Sequence, residues 1–377
     1  MQDSGLMIRW FFLRFGLFAC VCGAGLALFL SASRARHYTR ITPGGQGQAS
    51  EESAESRPPR SQQAPADTPN AVAANSSQLL KSADDDFRAR CHAPGVIKCE
   101  GWDDPSDFIP AEGGGGYADG LYPASDGSYQ GRMDTTNKTS GAGSLMFVIR
   151  PRVTANWTGY WRANFGKYPK LTSFGPHSTL YLQFRLRLDP NMLKFRWNTV
   201  SNEGWKVFIA YGPIPGPSCT GAQFVQENTY QTNVVTAYAS CGNPALYSHD
   251  GVPPMLIQQG DYNCRYRHDD PYAGDSSCFN YPANTWMTEY WIVEIGDFGK
   301  PNTHFTAFIA PQGKPLKRFI DLANFTFNKD PSPGDALMTM LLQPYMSGAD
   351  GTKTNPTAYM WFDELIISTK PIAAPEN

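Results

Sequence analysis

The stretch "LYLQFRLRLD" at residues 180–189 constrains the fold of this chain more than any other feature. Leu180, Leu182 and the apolar residues that follow at every second position share one face, and the polar residues between them share the other. Because successive side chains of a β-strand point to opposite faces, this period of two predicts a strand with one buried and one solvated face. Similar runs, separated by Gly, Pro and Asn, predict further strands that begin near Trp205, Ala222, Glu289, His304 and Leu337.

Residues 86–377 contain no convincing helical periodicity, so we expect an all-β domain, either a sandwich or a barrel. Thirteen per cent aromatic residues, 35 Gly and 30 Pro are typical of a turn-rich β protein, and the aromatic rings also suit stacking on sugars. The 32 basic residues nearly balance the 34 acidic ones, and no basic stripe is interleaved with aromatics. Nucleic acid is therefore not an expected partner.

The first 40 residues have the pattern of a secretory signal peptide or a membrane anchor. Arg9 and Arg14 precede 16 uncharged residues at 15–30, and small residues follow at 31–33. The apolar run is short for a membrane-spanning helix, so both interpretations stay open. Residues 41–85 are rich in polar residues and Pro and predict a disordered linker, because such a segment buries too little apolar surface to offset its conformational entropy. We therefore expect a secreted or periplasmic domain at 86–377, with the inner membrane as a partner if the N-terminal helix is retained.

The cysteines agree with export. Six cysteines lie beyond the apolar segment. The sequence contains no Cys-x-x-Cys pair, so a zinc site is not indicated. Spacing along the chain favours three local disulfides, although it does not strictly choose among the possible pairings. The favoured pairs are Cys91 with Cys99, Cys219 with Cys241, and Cys264 with Cys278.

Two adjacent acids stand in the last predicted strand, "NPTAYMWFDELIIS" at residues 355–368. Strict alternation would place Asp363 and Glu364 on opposite faces, each alone among apolar side chains. A buried carboxylate is costly unless it is paired, hydrogen-bonded or bound to a metal. At least one of these two acids should therefore have a specific partner.

The succession "SGAGSLMFVI", "LYLQFRLRL", "GWKVFIA", "FTAFIAPQGKP" and "AYMWFDELIIS" resembles the concanavalin A-like lectin and glucanase superfamily, and within it polysaccharide lyase-like exported bacterial proteins. The resemblance covers nearly all of residues 90–375 and implies a jelly-roll β-sandwich. It also implies that Asp363 occupies the position of an Asp that binds a structural calcium, with further oxygens from "EGWDDPSDF" at 100–108. The alternative is that Asp363 accepts N–H bonds from a neighbouring loop. No organic cofactor is expected.

This superfamily contains lectins, hydrolases and lyases, so its fold does not decide activity. Retaining hydrolases of the fold carry a strand with paired carboxylates, whereas "AQFVQENTYQ" offers Glu227 alone. A lyase acting on an acidic polysaccharide needs groups that neutralise a uronate carboxylate and a residue that moves its α-proton. The catalytic candidates are Tyr230, Tyr345, Lys206 and His304. The substrate-binding candidates on a concave sheet are Gln183, Arg185, Arg187, Gln223, Gln226 and Trp161.

Two other classes of function stay open. The chain could be a noncatalytic, lectin-like glycan-binding protein, or a structural protein of the cell envelope. Without a role in binding, Arg185 and Arg187 would simply form a solvated sheet face, and His304 would be an ordinary surface residue. The sequence lacks the motifs of serine hydrolases, nucleotide-binding loops and zinc proteases.

Overall fold

A computed structural model gives the fold of the protein. It describes residues 82–109, 118–124, 127–152, 159–167, 170–195, 204–212, 222–228, 233–239, 256–257, 259, 264, 278–327, 336–346 and 349–376. The predicted signal or anchor, residues 41–81 of the predicted linker and Tyr230 lie outside these residues, as do Cys219 and Cys241. Residues 82–85, predicted as the end of the linker, are described, and 83–85 are helical. No helix among the described residues is long and apolar enough to span a membrane.

Two antiparallel sheets pack face to face as a jelly-roll β-sandwich, which confirms the predicted fold class. The back sheet has eight strands: β1 (Val96–Glu100), β3 (Gly131–Asp134), β4 (Ser144–Ile149), β8 (Ser178–Leu188), β13 (Met287–Ile295), β14 (Thr303–Pro311), β15 (Lys317–Phe325) and β17 (Ala358–Ser368). Its order is β15-β14-β13-β8-β17-β4-β3, and β1 also pairs with β17.

The front sheet has seven strands: β2 (Gly120–Tyr122), β5 (Tyr160–Asn164), β9 (Trp205–Tyr211), β10 (Gln223–Asn228), β11 (Thr236–Ala239), β12 (Leu256–Ile257) and β16 (Thr339–Met346). Its order is β12-β11-β10-β9-β16-β5-β2. A separate two-stranded ribbon joins β6 (Gly166–Lys167) to β7 (Lys170–Leu171). The strands predicted at Trp205, Ala222, Glu289, His304 and Leu337 correspond to β9, β10, β13, β14 and β16.

Aromatic side chains from both sheets form the core between them. Phe184 on β8 meets Phe208 on β9 edge to face at 5.8 Å between ring centroids. Phe224 on β10 lies 5.2 Å from the ring of Trp291 on β13 in the same way. The leucines that alternate along β8 are all completely buried in this core. The period of two seen in the sequence thus identifies the inner face of the back sheet.

The described residues also form three short helices: α1 (Ala83–Cys91), a 3-10 helix (Pro105–Phe108) and α2 (Pro190–Lys194). The sequence did not predict α1, because the residues it buries include Asp86 and Arg90 rather than an apolar stripe. Its start is nevertheless encoded locally: Ser82 accepts a hydrogen bond from the Asp85 N–H, and acidic residues fill the first turn. Disulfides join Cys91 to Cys99 and Cys264 to Cys278, which confirms two of the three predicted pairs.

One carboxyl group points into the core. Glu289 on β13 is completely buried, and its Oε2 accepts a 3.2 Å bond from the indole of Trp291. Gln226 on β10 approaches from the other sheet and donates to the hydroxyl of Tyr281 at 3.1 Å. Burial raises the pKa of Glu289 to about 8, although hydrogen bonds from Trp291 and Gln226 oppose this rise. At neutral pH the carboxyl is therefore mostly protonated, which avoids an unpaired charge between the sheets.

Glu289 predicts that stability falls as the pH rises. Its pKa is about 8 in the folded protein against an ordinary value of 4.5, so the folded state binds more protons between these values. The stabilisation is fully present below pH 4.5 and is lost progressively toward pH 8, at no more than about 1.4 kcal/mol per pH unit. We expect Glu289→Gln to flatten this dependence in urea unfolding between pH 5 and pH 8, by about 2 kcal/mol or more over the range. Glu294→Gln on the exposed face of β13 serves as the control; an equally steep Glu289→Gln curve would contradict the assignment.

Candidate functional site

The structure corrects the placement of Gln183 and Arg185. Both lie on the outer face of β8, but they are 1% and 3% exposed because α1 covers them. Gln183 accepts a 2.7 Å bond from Arg90 and donates to the carbonyl of Ala373. Arg185 donates to Thr288 at 2.6 Å and to Glu364 at 3.2 Å. These side chains form a buried polar network, so the prediction that they line a solvated binding sheet is wrong.

Two other predicted residues also belong to the back sheet. The guanidinium of Arg187 lies 5.5 Å from the ring centroid of Trp361. His304 stands between two carboxylates, with Nδ1 2.9 Å from Glu294 and Nε2 2.6 Å from Asp321. Neither residue shares a sheet with Lys206 or Gln223, which are on the front sheet. The prediction that all these groups converge on one face is therefore wrong.

Trp161 and Gln226 lie on the inner face of the front sheet rather than on a binding surface. Trp161 is 1% exposed and donates its indole N–H to the carbonyl of Asp107 at 2.9 Å. Gln226 belongs to the core cluster around Glu289 described above. Neither side chain is placed to contact a polysaccharide on the outside of the sandwich.

Asp363 and Glu364 lie on the same face of β17, contrary to strict alternation. Glu364 has a positive φ of 48°, and the pairing of β17 with β8 shifts between Asp363 and Ile366. This irregularity turns both carboxyls to the outer side of the sheet, away from the core. There, each carboxyl lies within 3.1 Å of the Thr139 hydroxyl. Glu364 forms ion pairs with Arg90 and Arg185, which is the specific partnership that the sequence required.

The Asp363 carboxyl is used for hydrogen bonding. Its Oδ2 accepts from the Thr139 N–H at 2.7 Å, and its Oδ1 accepts from the Glu364 N–H at 2.8 Å. In the 100–108 segment, Asp104 likewise accepts the N–H of Ser106. The described part of the chain contains no group of three or more His, Cys, Asp or Glu side chains that could hold a metal. The calcium expectation stays a prediction, which metal analysis of the purified protein can check.

The front sheet brings Lys206 and Tyr345 together. They are register partners on β9 and β16, and Lys206 Nζ lies 4.0 Å from the centroid of the Tyr345 ring. A bulge makes this possible: Gln226 faces Phe208 and Glu227 faces Lys206, so Val207 is an additional residue in β9. Simple alternation would put Lys206 on the same face as Phe208, in the core. The bulge instead places Lys206 outward, opposite Tyr345.

Tyr345 shares its face of β16 with Leu341 and Gln343, since Met340, Leu342 and Met346 point into the core. Gln343 is completely buried, and neither atom of its amide has a hydrogen-bond partner among the described residues. A buried amide without partners is costly, and such groups commonly mark a place where a ligand or water binds. This amide is therefore a candidate ligand contact beside the Lys206–Tyr345 pair.

Arg162 on β5 is the other cation of this face among the described strands, and it is 4% exposed. Its guanidinium carbon lies 5.9 Å from the ring centroids of both Tyr122 and Tyr211. Tyr122 and Tyr160 stack at 4.7 Å with an interplanar angle of 12°. The sequence analysis did not single out Arg162, although the alternation of "YWRAN" at 160–164 carries the signal: Trp161 and Ala163 point inward and Arg162 outward.

Three tyrosines of this face have raised pKa values. Burial, reinforced by the neighbouring Tyr211 and Tyr122 and opposed by Arg162, raises the pKa of Tyr160 to about 12. Burial also raises the pKa of Tyr122 and, with added contributions from Glu227 and Tyr345, that of Tyr238. These phenols stay protonated at neutral pH, and that of Tyr122 donates its hydrogen bond to the carbonyl of Ala118 at 3.1 Å.

Comparisons with known proteins find distant similarities to solved structures. No family model and no curated protein matches the chain. Among solved structures, the PL-14 alginate lyase of Aplysia kurodai is 12% identical, with 64% of this chain and 87% of the lyase covered and a TM-score of 0.41. The endo-beta-1,4-glucuronan lyase of Trichoderma reesei is 14% identical, with coverages of 64% and 88% and a TM-score of 0.37. The binding domain of botulinum neurotoxin serotype C1 is 12% identical, with 68% of this chain and 45% of that chain covered and a TM-score of 0.34. Likenesses this distant do not bear on activity, which depends on the residues of this chain.

Proposed function

We propose that the outer face of the front sheet binds an acidic polysaccharide and cleaves it by β-elimination. The observation that carries this proposal is the position of Lys206 Nζ 4.0 Å from the centroid of the Tyr345 ring, beside the buried amide of Gln343, which has no hydrogen-bond partner in the described part of the chain. Arg162 adds a second positive charge to the same face. Carboxylate-bearing sugars are the ligands that such a set of donors would recognise, because charge-assisted hydrogen bonds are the strong ones.

In an elimination, a base removes the proton on the carbon next to the uronate carboxyl group. The bond from the neighbouring carbon to the glycosidic oxygen breaks, a carbon–carbon double bond forms, and the leaving oxygen takes up a proton. Neither water nor a redox partner is consumed. Arg162 and Gln343 are suited to neutralise the carboxylate, which makes the proton more acidic. Lys206 and Tyr345 are the groups suited to move the proton.

The acid content of the front sheet supports elimination over hydrolysis. A retaining glycosidase needs two carboxyl groups about 5 Å apart. Within the described strands of the front sheet, Glu227 is the only Asp or Glu. The described strands of the front sheet therefore do not contain the pair of carboxylates that a retaining glycosidase needs.

An extracytoplasmic location fits this proposal. One disulfide joins α1 to β1 and a second joins Cys264 to Cys278, and disulfides persist mainly in oxidising compartments. Extracellular polysaccharides would be accessible there. Retention at the membrane by the N-terminal segment is part of the same proposal, and fractionation of cells that express the full chain would test it.

A screen of uronate polymers tests the function. We expect binding by calorimetry, together with a rise in ultraviolet absorbance from the new double bond. Arg162→Gln should weaken binding on the order of tenfold or more, because one charge-assisted hydrogen bond contributes about 1.5 to 3 kcal/mol. Arg318→Gln on the exposed back sheet is the matched control, and melting curves should show that both variants fold. Failure to bind any uronate polymer would refute the proposal.

A noncatalytic glycan-binding role is the second candidate. The stacked rings of Tyr122 and Tyr160 favour it, because aromatic faces bind sugar rings without any chemistry. Binding of uronate polymers with no absorbance change would support this candidate. If neither binding nor an absorbance change is observed with any glycan, a structural role in the cell envelope is the remaining interpretation.

A further inference from the structure

The outer face of the back sheet carries a row of arginine and apolar side chains that crosses four strands. Arg132 on β3 is the register partner of Met146 on β4, which in turn opposes Trp361 on β17. Trp361 opposes Arg187 on β8, and directly opposed residues of antiparallel strands point to the same side. Trp286 immediately precedes β13, on the other side of β8, and packs in one cluster with Met146 and Trp361. We call these five residues the back row.

Arg187 has no ion-pair partner in the described part of the chain. Its side chain is partly exposed, and its guanidinium carbon lies 5.5 Å from the ring centroid of Trp361. The Nε atom is buried and has no hydrogen-bond acceptor among the described residues. A buried donor that the protein leaves unsatisfied is costly, and such groups commonly mark a place where a ligand or water binds.

Three carboxylates lie close to the back row along its strands, and each accepts hydrogen bonds from other groups. Asp134 accepts the indole N–H of Trp361 at 2.8 Å. Asp363 accepts the Thr139 N–H at 2.7 Å, and Asp189 accepts an N–H of α2 at 2.8 Å. None of them forms an ion pair with either arginine of the back row. The described residues therefore provide no ion-pair partner for these two positive charges.

The back row fits an extended chain that carries carboxylates. Guanidinium groups bind carboxylates through paired, charge-assisted hydrogen bonds. Arg132 and Arg187 are three strand spacings apart, about 14 Å, so an oligomer can contact both. Beside them, the ring of Tyr359 is partly exposed and stacks on Trp361 at 5.6 Å, which offers an aromatic surface to a sugar ring. An acidic saccharide is favoured over an acidic peptide, because a run of acidic residues has no ring to place there.

We infer that the outer face of the back sheet holds a second, noncatalytic site for an acidic polysaccharide, in which Arg187 and Arg132 bind carboxylates of one chain. This site is on the opposite sheet from Lys206 and Tyr345 and does not depend on the chemistry proposed for them. A polymer bound at the back row is presented to the front sheet at a high effective concentration. The second site thus retains the polymer at the protein.

Calorimetric titration of the full chain with a uronate oligosaccharide tests the inference. The wild type should show two sites per chain, and Arg187→Gln should weaken one of them on the order of tenfold or more. Arg132→Gln should weaken the same site about two- to fivefold, because contacts of exposed charges contribute less. In Arg162→Gln the site at the back row should persist. Arg318→Gln on β15 is the matched control and should keep both sites.

The outcomes separate this inference from the proposed function. Unchanged binding in Arg187→Gln and Arg132→Gln would overturn the inference and leave the front sheet as the binding face. A single site that is weakened by Arg187→Gln and untouched by Arg162→Gln would support the inference and refute the proposed function. Melting curves check folding; if Arg187→Gln does not fold, the exposed Arg132 decides alone.

A second probe tests the class of ligand. Polyglutamate carries carboxylates without sugar rings, so it should bind the back row more weakly than a uronate oligosaccharide of equal charge. Tighter binding of polyglutamate, lost in Arg187→Gln, would overturn the choice of a saccharide. If the wild type binds neither probe, the inference and the proposed function fail together.

Discussion

Replacing Glu364 with Gln should lower the free energy of unfolding by about 3 to 5 kcal/mol, the cost typical of breaking a buried ion pair from one side. The substitution leaves the guanidinium groups of Arg90 and Arg185 buried without the carboxylate that neutralises them. Their side chains are 3% and 4% exposed, so water cannot replace it. Asp86 still pairs with Arg90 at 3.0 Å, so Arg185 should suffer most.

Urea unfolding at pH 7 measures the effect, with Glu294→Gln as an exposed control. The difference in the free energy of unfolding between wild type and variant should become smaller at acidic pH. Burial alone would raise the pKa of Glu364, but Arg185 and Arg90 hold it below the ordinary 4.5. A carboxyl with a lowered pKa stabilises the fold above its unfolded pKa, and this contribution is lost as the pH falls through the folded value. A loss below about 1 kcal/mol at pH 7 would show that the network contributes little.

Tyr345→Phe should reduce the rate of elimination by a factor of about 100 to 10,000, the range typical of a lost general acid or base. The variant keeps the aromatic ring, and with it the contact to Lys206, and removes only the hydroxyl group. Binding of the polymer should therefore change only slightly. Absorbance kinetics and calorimetry on the same polymer separate the two effects.

Tyr359→Phe is the matched control, since Tyr359 is a partly exposed tyrosine of the back sheet that stacks on Trp361. It should leave both rate and affinity unchanged. Undiminished elimination by Tyr345→Phe would remove Tyr345 from the chemistry. If the wild type binds but shows no elimination, the noncatalytic candidate is favoured instead.

The strands of this protein could be predicted from the sequence because their patterning is local. The alternation of β8 identifies its buried leucines without any knowledge of the rest of the chain. Two local disulfide pairs followed from spacing in the same way. The wrong expectation for Asp363 and Glu364 arose at an irregular position, because β17 breaks its alternation at Glu364. An additional residue in a strand changes the facing of its neighbours, and no composition signal marks it.

The candidate site was only partly predictable. Residue type alone pointed to Lys206 and Tyr345, and the fold then brought them together. The same argument failed for Gln183 and Arg185, because a distant segment, α1, covers them and supplies Arg90. Whether a polar strand face is solvated depends on what packs over it, and that is a tertiary property.

The attachment of α1 has a mechanical consequence. A force applied to the chain at Ser82 would reach α1 first, and from there it would pass through the Arg90–Glu364 ion pair and through the Cys91–Cys99 bond to β1. Both routes lead to β17, which is bonded to β8 on one side and to β4 and β1 on the other. Tension would therefore load an interior strand held by hydrogen bonds on both edges. Such a strand has to be sheared out against two ladders at once, whereas an edge strand can be peeled off one bond at a time.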